Sequence, residues 1–299
     1  RKPASVKQPI KKASKPEHPV EPPKSSGHSV ATHRPASPEP EKLASLRPGE
    51  QEVVRPSVPE PEVAAPLGEV AIVIDDFGQD LEMAKKFLTI PLAITFSILP
   101  FQPHSGEIAR LAHSQGHEVI LHLPMEPRAY PRIDPGSGAL LATMSAGEIE
   151  KAVQSALKEC PHVAGVQNHM GSRFTESTRS MKIFLSELQR KRLYFIDSFT
   201  TDKSVGYSLA KELDIPSRRR DIFLDHTPTE GFVRSQIKQL IRKAKIQGSA
   251  VAIGHPHDST YKVLSDEAGL FQKERVAVVY PGKLVSGAPA PAGADRDDD

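Results

Sequence analysis

One stretch limits the fold more than any other. Val70 to Ile74 is an unbroken apolar, mostly β-branched run that stops at Asp75-Asp76-Phe-Gly78. A strand that is apolar on both faces has to be covered on both faces, as in a parallel sheet flanked by helices. The same grammar recurs. Leu92–Leu99, Glu118–Leu123, Val163–Gln167, Leu193–Ser198 and Ala250–Ile253 read as further strands, and Asp221–Asp225 as a weaker one. Helices are expected between them over Asp80–Leu88, Glu107–Gln115, Ser145–Glu159, Thr178–Lys191, Ser204–Glu212 and Glu230–Ile246. Ser145 and Glu148 form a capping box for the third, and the last turns Phe232, Ile237, Leu240 and Ile241 inward. Residues 127–144, rich in Pro and Gly, read as a loop. Strands alternating with helices give an α/β protein with a mostly parallel sheet and right-handed crossovers. Six or seven such units suit a distorted (β/α) barrel better than an open sheet.

Composition sets the limits of that domain. Residues 1–66 hold 14 of the 28 Pro and none of the 11 Phe or 5 Tyr. Such a stretch cannot bury enough apolar surface to offset the entropy of ordering it, so residues 1–66 read as a disordered Pro/Lys-rich linker. Residues 67–286 have a globular composition and are enough for one core. Residues 287–299 read as a disordered acidic tail. The net charge of +2 argues for no nucleic-acid partner, although the linker is locally basic, with eight Lys/Arg between Arg1 and Pro35. A single cysteine, Cys160, provides neither an internal disulfide nor a thiolate metal cluster, and reads as a buried or capping thiol. No apolar run has the length of a membrane span. The chain starts at Arg1, and a long linker ahead of a domain is what a domain held off a membrane would need. A tether upstream of residue 1 and a periplasmic or other extracytoplasmic setting in the cell envelope are therefore expected; the oligomeric state is left open.

The chemistry gathers at strand ends. Five apolar strands stop at residues able to ligate metal or move protons: Asp75/Asp76, His122, Asn168/His169, Asp197 and His255/His257. In parallel α/β folds the carboxyl ends of all strands open on one face, so residues far apart in sequence converge there. Any one of them alone would read as a satisfied histidine or a helix cap. Together, imidazoles with carboxylates suit zinc or another first-row divalent metal.

The strings VAIVIDDFG, HEVILHLPME, VQNHMGSRFT, FIDSFT and VAIGHPH, in that order, resemble the divergent polysaccharide deacetylases, relatives of the NodB-type carbohydrate esterases on a distorted (β/α) barrel of the glycoside hydrolase/deacetylase type. The resemblance spans residues 67–283 and implies a metal-dependent hydrolase, most simply with zinc, that removes N- or O-acetyl groups from a carbohydrate polymer or oligosaccharide. By that resemblance Asp75 is the general base, Asp76 and His122 bind metal, and His255 or His257 is the general acid. The family's second motif has a histidine where this chain has Glu126, so the third ligand is Glu126 or His169. His169 is favoured because Pro124 and Pro127 constrain the path of Glu126. The family's Arg-containing third motif is replaced by Asn168-His169-Met-Gly-Ser172, which makes Asn168 and Ser172 candidates for contacts behind the ligands or to substrate. Asp197 either orients one of the histidines or caps the helix after strand five.

Other chemistries lack their motifs. Ser172 has no G-x-S-x-G elbow, and Gly136-Ser-Gly138 lacks the lysine and strand of a phosphate loop. Glu118 and Asp225 read as surface or capping residues. The rival to an enzyme is a carbohydrate-binding or envelope scaffold protein on a degenerate version of the same barrel.

Overall fold

The computed structural model describes residues 65–285. The linker up to residue 64 and the tail from residue 286 lie outside the described residues. The chain alternates strand and helix from its first element: β1 (Gly68–Phe77), α1 (Leu81–Leu88), β2 (Ile94–Ile98), α2 (Ser105–Ser114), β3 (Val119–Met125) and α3 (Ala146–Glu159). It continues through β4 (Val163–Met170), a 3-10 turn (Phe174–Glu176), α4 (Thr178–Arg190), β5 (Tyr194–Asp197), α5 (Gly206–Glu212), β6 (Ser217–Arg219) and β7 (Ile222–Phe223). Then follow α6 (Glu230–Gln247), β8 (Ser249–Gly254), α7 (Asp258–Asp266), α8 (Ala268–Lys273), β9 (Val276–Val278) and α9 (Pro281–Leu284). Among the described residues no helix is long and apolar enough to cross a membrane.

The strands form one parallel sheet in the order β6-β5-β4-β3-β2-β1-β8-β7, with β9 added beside β1. It curls into a half-barrel that stays open between β6 and β7, the two ends of the strand order. The expected elements form where the apolar pattern placed them, with ends shifted by a few residues. The capping box of α3 is complete, with Ser145 Oγ accepting from Glu148 N and the Glu148 carboxylate from Ser145 N. In α6 the inward position after Thr229 is Val233, whereas Phe232 is half-buried.

Alternation along the strands divides the core into two layers. Val70, Ile72 and Ile74 of β1, Leu121 and Leu123 of β3, Val166 of β4 and Phe195 of β5 pack outward against the helices, with Phe87, Ile108, Phe184 and Leu240. Each such fully buried Ile, Leu or Phe contributes about 1.5–3 kcal/mol relative to exposure. The intervening residues Ala71 and Val73, Ile120, Tyr194 and Ile196, and Val251 and Ile253 form a separate cluster that fills the concave side. Continuing the alternation past the last apolar residue of each strand puts Asp75, His122, Gln167, His169 and His255 on the concave side, at the carboxyl ends.

Candidate metal centre and active site

Asp76 does not follow that alternation. It has the parity of Ile72 and Ile74 and would face the helices in a regular strand. Instead its φ is 57°, and the β1–β2 register shifts between Ile74 and Phe77. This left-handed residue, costly for a side chain other than glycine, turns Asp76 back over the barrel mouth, so two consecutive acids serve one site. Met170 at the end of β4 (φ 52°) and Phe199 after β5 (φ 51°) carry the same backbone conformation on the same rim.

Three donor atoms meet there. Asp76 Oδ1 lies 3.2 Å from His122 Nε2 and 3.0 Å from His169 Nδ1, and the two ring nitrogens are 3.1 Å apart. Asp76 Oδ1 is buried but makes no well-aligned hydrogen bond, and His122 Nδ1 is buried without a partner. Three lone-pair atoms crowded round one point, one of them a buried carboxylate oxygen without a hydrogen bond, are an arrangement that could hold a divalent cation. An ion about 2.1 Å from each donor sets the donors roughly 3–3.5 Å apart. The protonation states agree. Burial drives the His122 pKa down to about 4, which leaves the ring neutral and able to ligate. Burial opposes the Asp76 charge, but His122 and His169 outweigh it and hold the carboxyl well below the usual carboxylate range.

Two further groups flank this point. Asp75 is buried, with Oδ2 3.5 Å from His122 Nε2 and 2.8 Å from Gln167 Nε2. Gln167 is itself fixed, accepting from Ser97 Oγ (3.0 Å) and donating to Ser198 Oγ (2.9 Å). Burial pushes the Asp75 carboxyl well above its ordinary range, against the opposing pull of His255. On the other side, His255 Nδ1 lies 3.0 Å from Asp225 Oδ1, and Nε2 points toward Asp76, 3.8 Å from Oδ2. Asp225 also accepts from His255 N (2.6 Å) and Thr260 Oγ1 (2.7 Å). Gly254 makes room for it, since a Cβ there would sit 3.2 Å from Asp225 Oδ2. Burial works against a charged His255 ring, but Asp225, then Asp75, lift its pKa to about 9. Asp75, His122, His169 and His255 line a cavity of about 420 Å³ that Arg220, Phe223 and His226 close from the β7 side.

The candidate residues therefore divide. Asp75, Asp76, His122, His169 and His255 converge, and His169 is in the donor cluster where Glu126 is not. Glu126 is buried, ion-paired with Arg173 (3.0 Å) and accepting from Ala142 N (2.7 Å), so it ties the 127–144 loop to the barrel. Asn168 bonds Ser198 N and Met170 O, and Ser172 Oγ accepts from Arg128 N; both hold loops. Asp197 touches no histidine. Its carboxylate accepts from Phe199 N, Ser204 Oγ and Tyr207 N, which makes it a remote cap for α5. His257 is exposed, outside the Asp76–His122–His169 cluster, with a ligand atom within 4.8 Å of those of Asp225 and His255. Asp225, expected at the surface or in a cap, is instead buried behind His255. Glu118 lies at the opposite end of the barrel, bonded to Tyr194 Oη (2.7 Å). Cys160 is buried, and burial pushes its thiol up to about 12, so it is inert at neutral pH. Asp225, Gln167 and Arg220 are the site residues that motif reading passed over. The strand alternation marks the first two.

The family model for divergent polysaccharide deacetylase matches residues 72–285. The uncharacterized protein YibQ of Escherichia coli (strain K12) is 39% identical over 197 residues, 66% of this chain and 61% of that protein. The chain thus spans less than two thirds of that relative's length. An uncharacterized protein of Haemophilus influenzae (strain ATCC 51907 / DSM 11121 / KW20 / Rd) is 38% identical over 216 residues, 72% of this chain and 76% of that one. Among solved structures, the uncharacterized protein ATU2773 of Agrobacterium tumefaciens C58 superposes with a TM-score of 0.71 at 24% identity, covering 74% of this chain and 90% of that one. The site and the sheet from Ile72 onward thus sit within the matched segment, and the chain belongs to the divergent polysaccharide deacetylase family.

Proposed function

We propose that this chain is a metal-dependent hydrolase, with zinc as the metal, that removes an N- or O-acetyl group from cell-envelope polysaccharide. A cell-envelope location belongs to the same proposal. One observation carries it: Asp76, His122 and His169 present three donor atoms 3.0–3.2 Å apart, with Asp75 on one side and the Asp225–His255 pair on the other. A protein that only binds has no need for a buried base beside a ligand set. The family's description supports a carbohydrate substrate.

Zinc held by Asp76, His122 and His169 would lower the pKa of water and polarise the acetyl carbonyl. Asp75 would take the proton of the attacking water. Burial keeps the Asp75 carboxyl a stronger base than an exposed aspartate, and Gln167 fixes its orientation. His255 then gives the proton on Nε2 to the leaving nitrogen or oxygen as the C–N or C–O bond breaks, releasing acetate and a free amine or hydroxyl. Asp225 holds the Nδ1 proton and stabilises the charged ring until that transfer.

The test uses the full chain, stripped with chelator and reloaded with zinc, and follows acetate release from acetylated oligosaccharides. Release only from loaded protein, lost in Asp75→Asn while the metal is kept, is the expected result. Glycan binding that survives the chelator, with no acetate from any substrate, would instead make this a binding protein on the same barrel.

A further inference from the structure

Arg220 lines the cavity, and the hydrolytic machinery does not use it. It sits between β6 and β7, where the barrel is open, and its backbone N–H donates to Asp197 O (3.0 Å). Its side chain turns into the cavity wall and is held in one plane. Nε donates to Ser198 O (2.9 Å) and Nη2 to Phe199 O (3.2 Å), and the guanidinium lies over the Phe223 ring, 5.1 Å from its centroid. Two carbonyls use two of five N–H donors, so three remain for a ligand.

The charge on Arg220 has no direct partner. Burial works against it and outweighs the through-space support of Asp75, Asp197 and Asp221, and among the described residues no carboxylate is within ion-pair range of it. Asp197 is occupied by the α5 cap, and Asp221 by Lys243 (2.8 Å) and Val251 N (2.9 Å). Asp75 is the base. Arg220 is left as a fixed positive charge facing a small cavity, in a partly desolvated setting where such a charge is costly without an anion. A planar guanidinium clamped by carbonyls and an aromatic face, with an edge of N–H groups free, matches a carboxylate or a phosphate bidentately.

We propose that Arg220 selects an anionic glycan, one whose acetylated sugar or its neighbour carries a carboxylate or phosphate. This rests on the hydrolase reading for the place of the acetyl group, but not for the binding of the anion. The cavity of about 420 Å³ keeps the anion close to the reacting bond. A bidentate charged contact of this kind is worth roughly 10- to 100-fold in kcat/KM over a neutral analogue.

The experiment compares the zinc-loaded full chain on three acetylated oligosaccharides: a hexuronate, a sugar phosphate and a neutral one. The wild type should favour one or both anionic substrates by at least tenfold, with the carboxylate and phosphate arms identifying the group. In Arg220→Gln that ratio should collapse toward one, through KM for the anionic substrate, and Arg220→Lys should restore part of it. A wild type without preference, or a variant that loses kcat equally on all three, would overturn the proposal, the latter by making Arg220 a support for Asp75. Thermal melts of both variants separate misfolding from lost recognition. If no substrate releases acetate, the hydrolase reading fails. Calorimetric titration with the deacetylated glycans then decides on Arg220 alone. Binding of the anionic glycan, weakened tenfold or more in Arg220→Gln, upholds selection; equal binding of neutral and anionic glycans, or none, refutes it.

Discussion

Replacing Asp197 with alanine should damage the fold and spare the metal. The side chain is fully buried and accepts three hydrogen bonds, from Phe199 N (2.8 Å), Ser204 Oγ (2.7 Å) and Tyr207 N (3.1 Å). Removing it leaves the two backbone donors with no replacement acceptor, at about 1 kcal/mol each for partly buried groups. Loss of the bond from Ser204 Oγ adds about 1 kcal/mol. The sum is about 3 kcal/mol, which for a domain of this size lowers Tm by roughly 6–12 °C. Asp197→Asn keeps an acceptor for Phe199 N and should lose about half as much. Differential scanning calorimetry gives the Tm, and elemental mass spectrometry on the same samples gives the metal content. A metal content that falls while Tm holds would refute the assignment and return Asp197 to a place behind the histidines.

Two other substitutions probe opposite ends of the barrel. Asp225→Asn removes the carboxylate that supports a charged His255, so kcat should fall by ~10²–10⁴-fold with metal content unchanged. The loss should grow toward high pH, because the His255 pKa drops from about 9 toward its ordinary 6.5; a pH–rate profile checks this, and a loss that is flat across pH contradicts it. Glu118→Gln tests the closed end. Burial raises the Glu118 pKa above its ordinary 4.5, so the folded state holds the proton more tightly than the unfolded one. Stability is therefore lost as pH rises from the unfolded value through the folded one. Glutamine can still accept from Tyr194 Oη and Gly282 N, so the variant should melt higher than wild type at pH 8 and alike at pH 4. A lower Tm at pH 8 would contradict this.

Much of the site was legible because a parallel barrel turns strand ends into neighbours. More could have been read by carrying each strand's alternation one step further. Phe195 faces the helices and Ile196 the concave side, so Asp197 must face outward, where it caps α5. The same count puts Gln167 and Asp225 inside, beside Asp75 and His255, and Asn168 outside. Asp76 is the exception that alternation mispredicts, because its place depends on a left-handed backbone and a register shift that no apolar pattern encodes. The flanking Pro124 and Pro127 favour His169 over Glu126 from sequence, but what holds Glu126 away is its ion pair with Arg173, a contact fixed by the tertiary path of the 127–144 loop. β6 and β9 went unread because each has three residues, and Ser217–Arg219 carries almost no apolar signal. Arg220 was invisible for a similar reason, since it enters the cavity only because the curled sheet stops short of closing.

The proposed chemistry needs Asp76, His122 and His169 to form one metal site. Metal content per chain, measured on this chain for wild type, His169→Ala and Glu126→Gln, checks that. About one divalent ion per chain in wild type and Glu126→Gln, and none retained in His169→Ala, is the predicted result. A His169→Ala protein that keeps its ion while Glu126→Gln loses it would contradict the assignment and move the third ligand to Glu126.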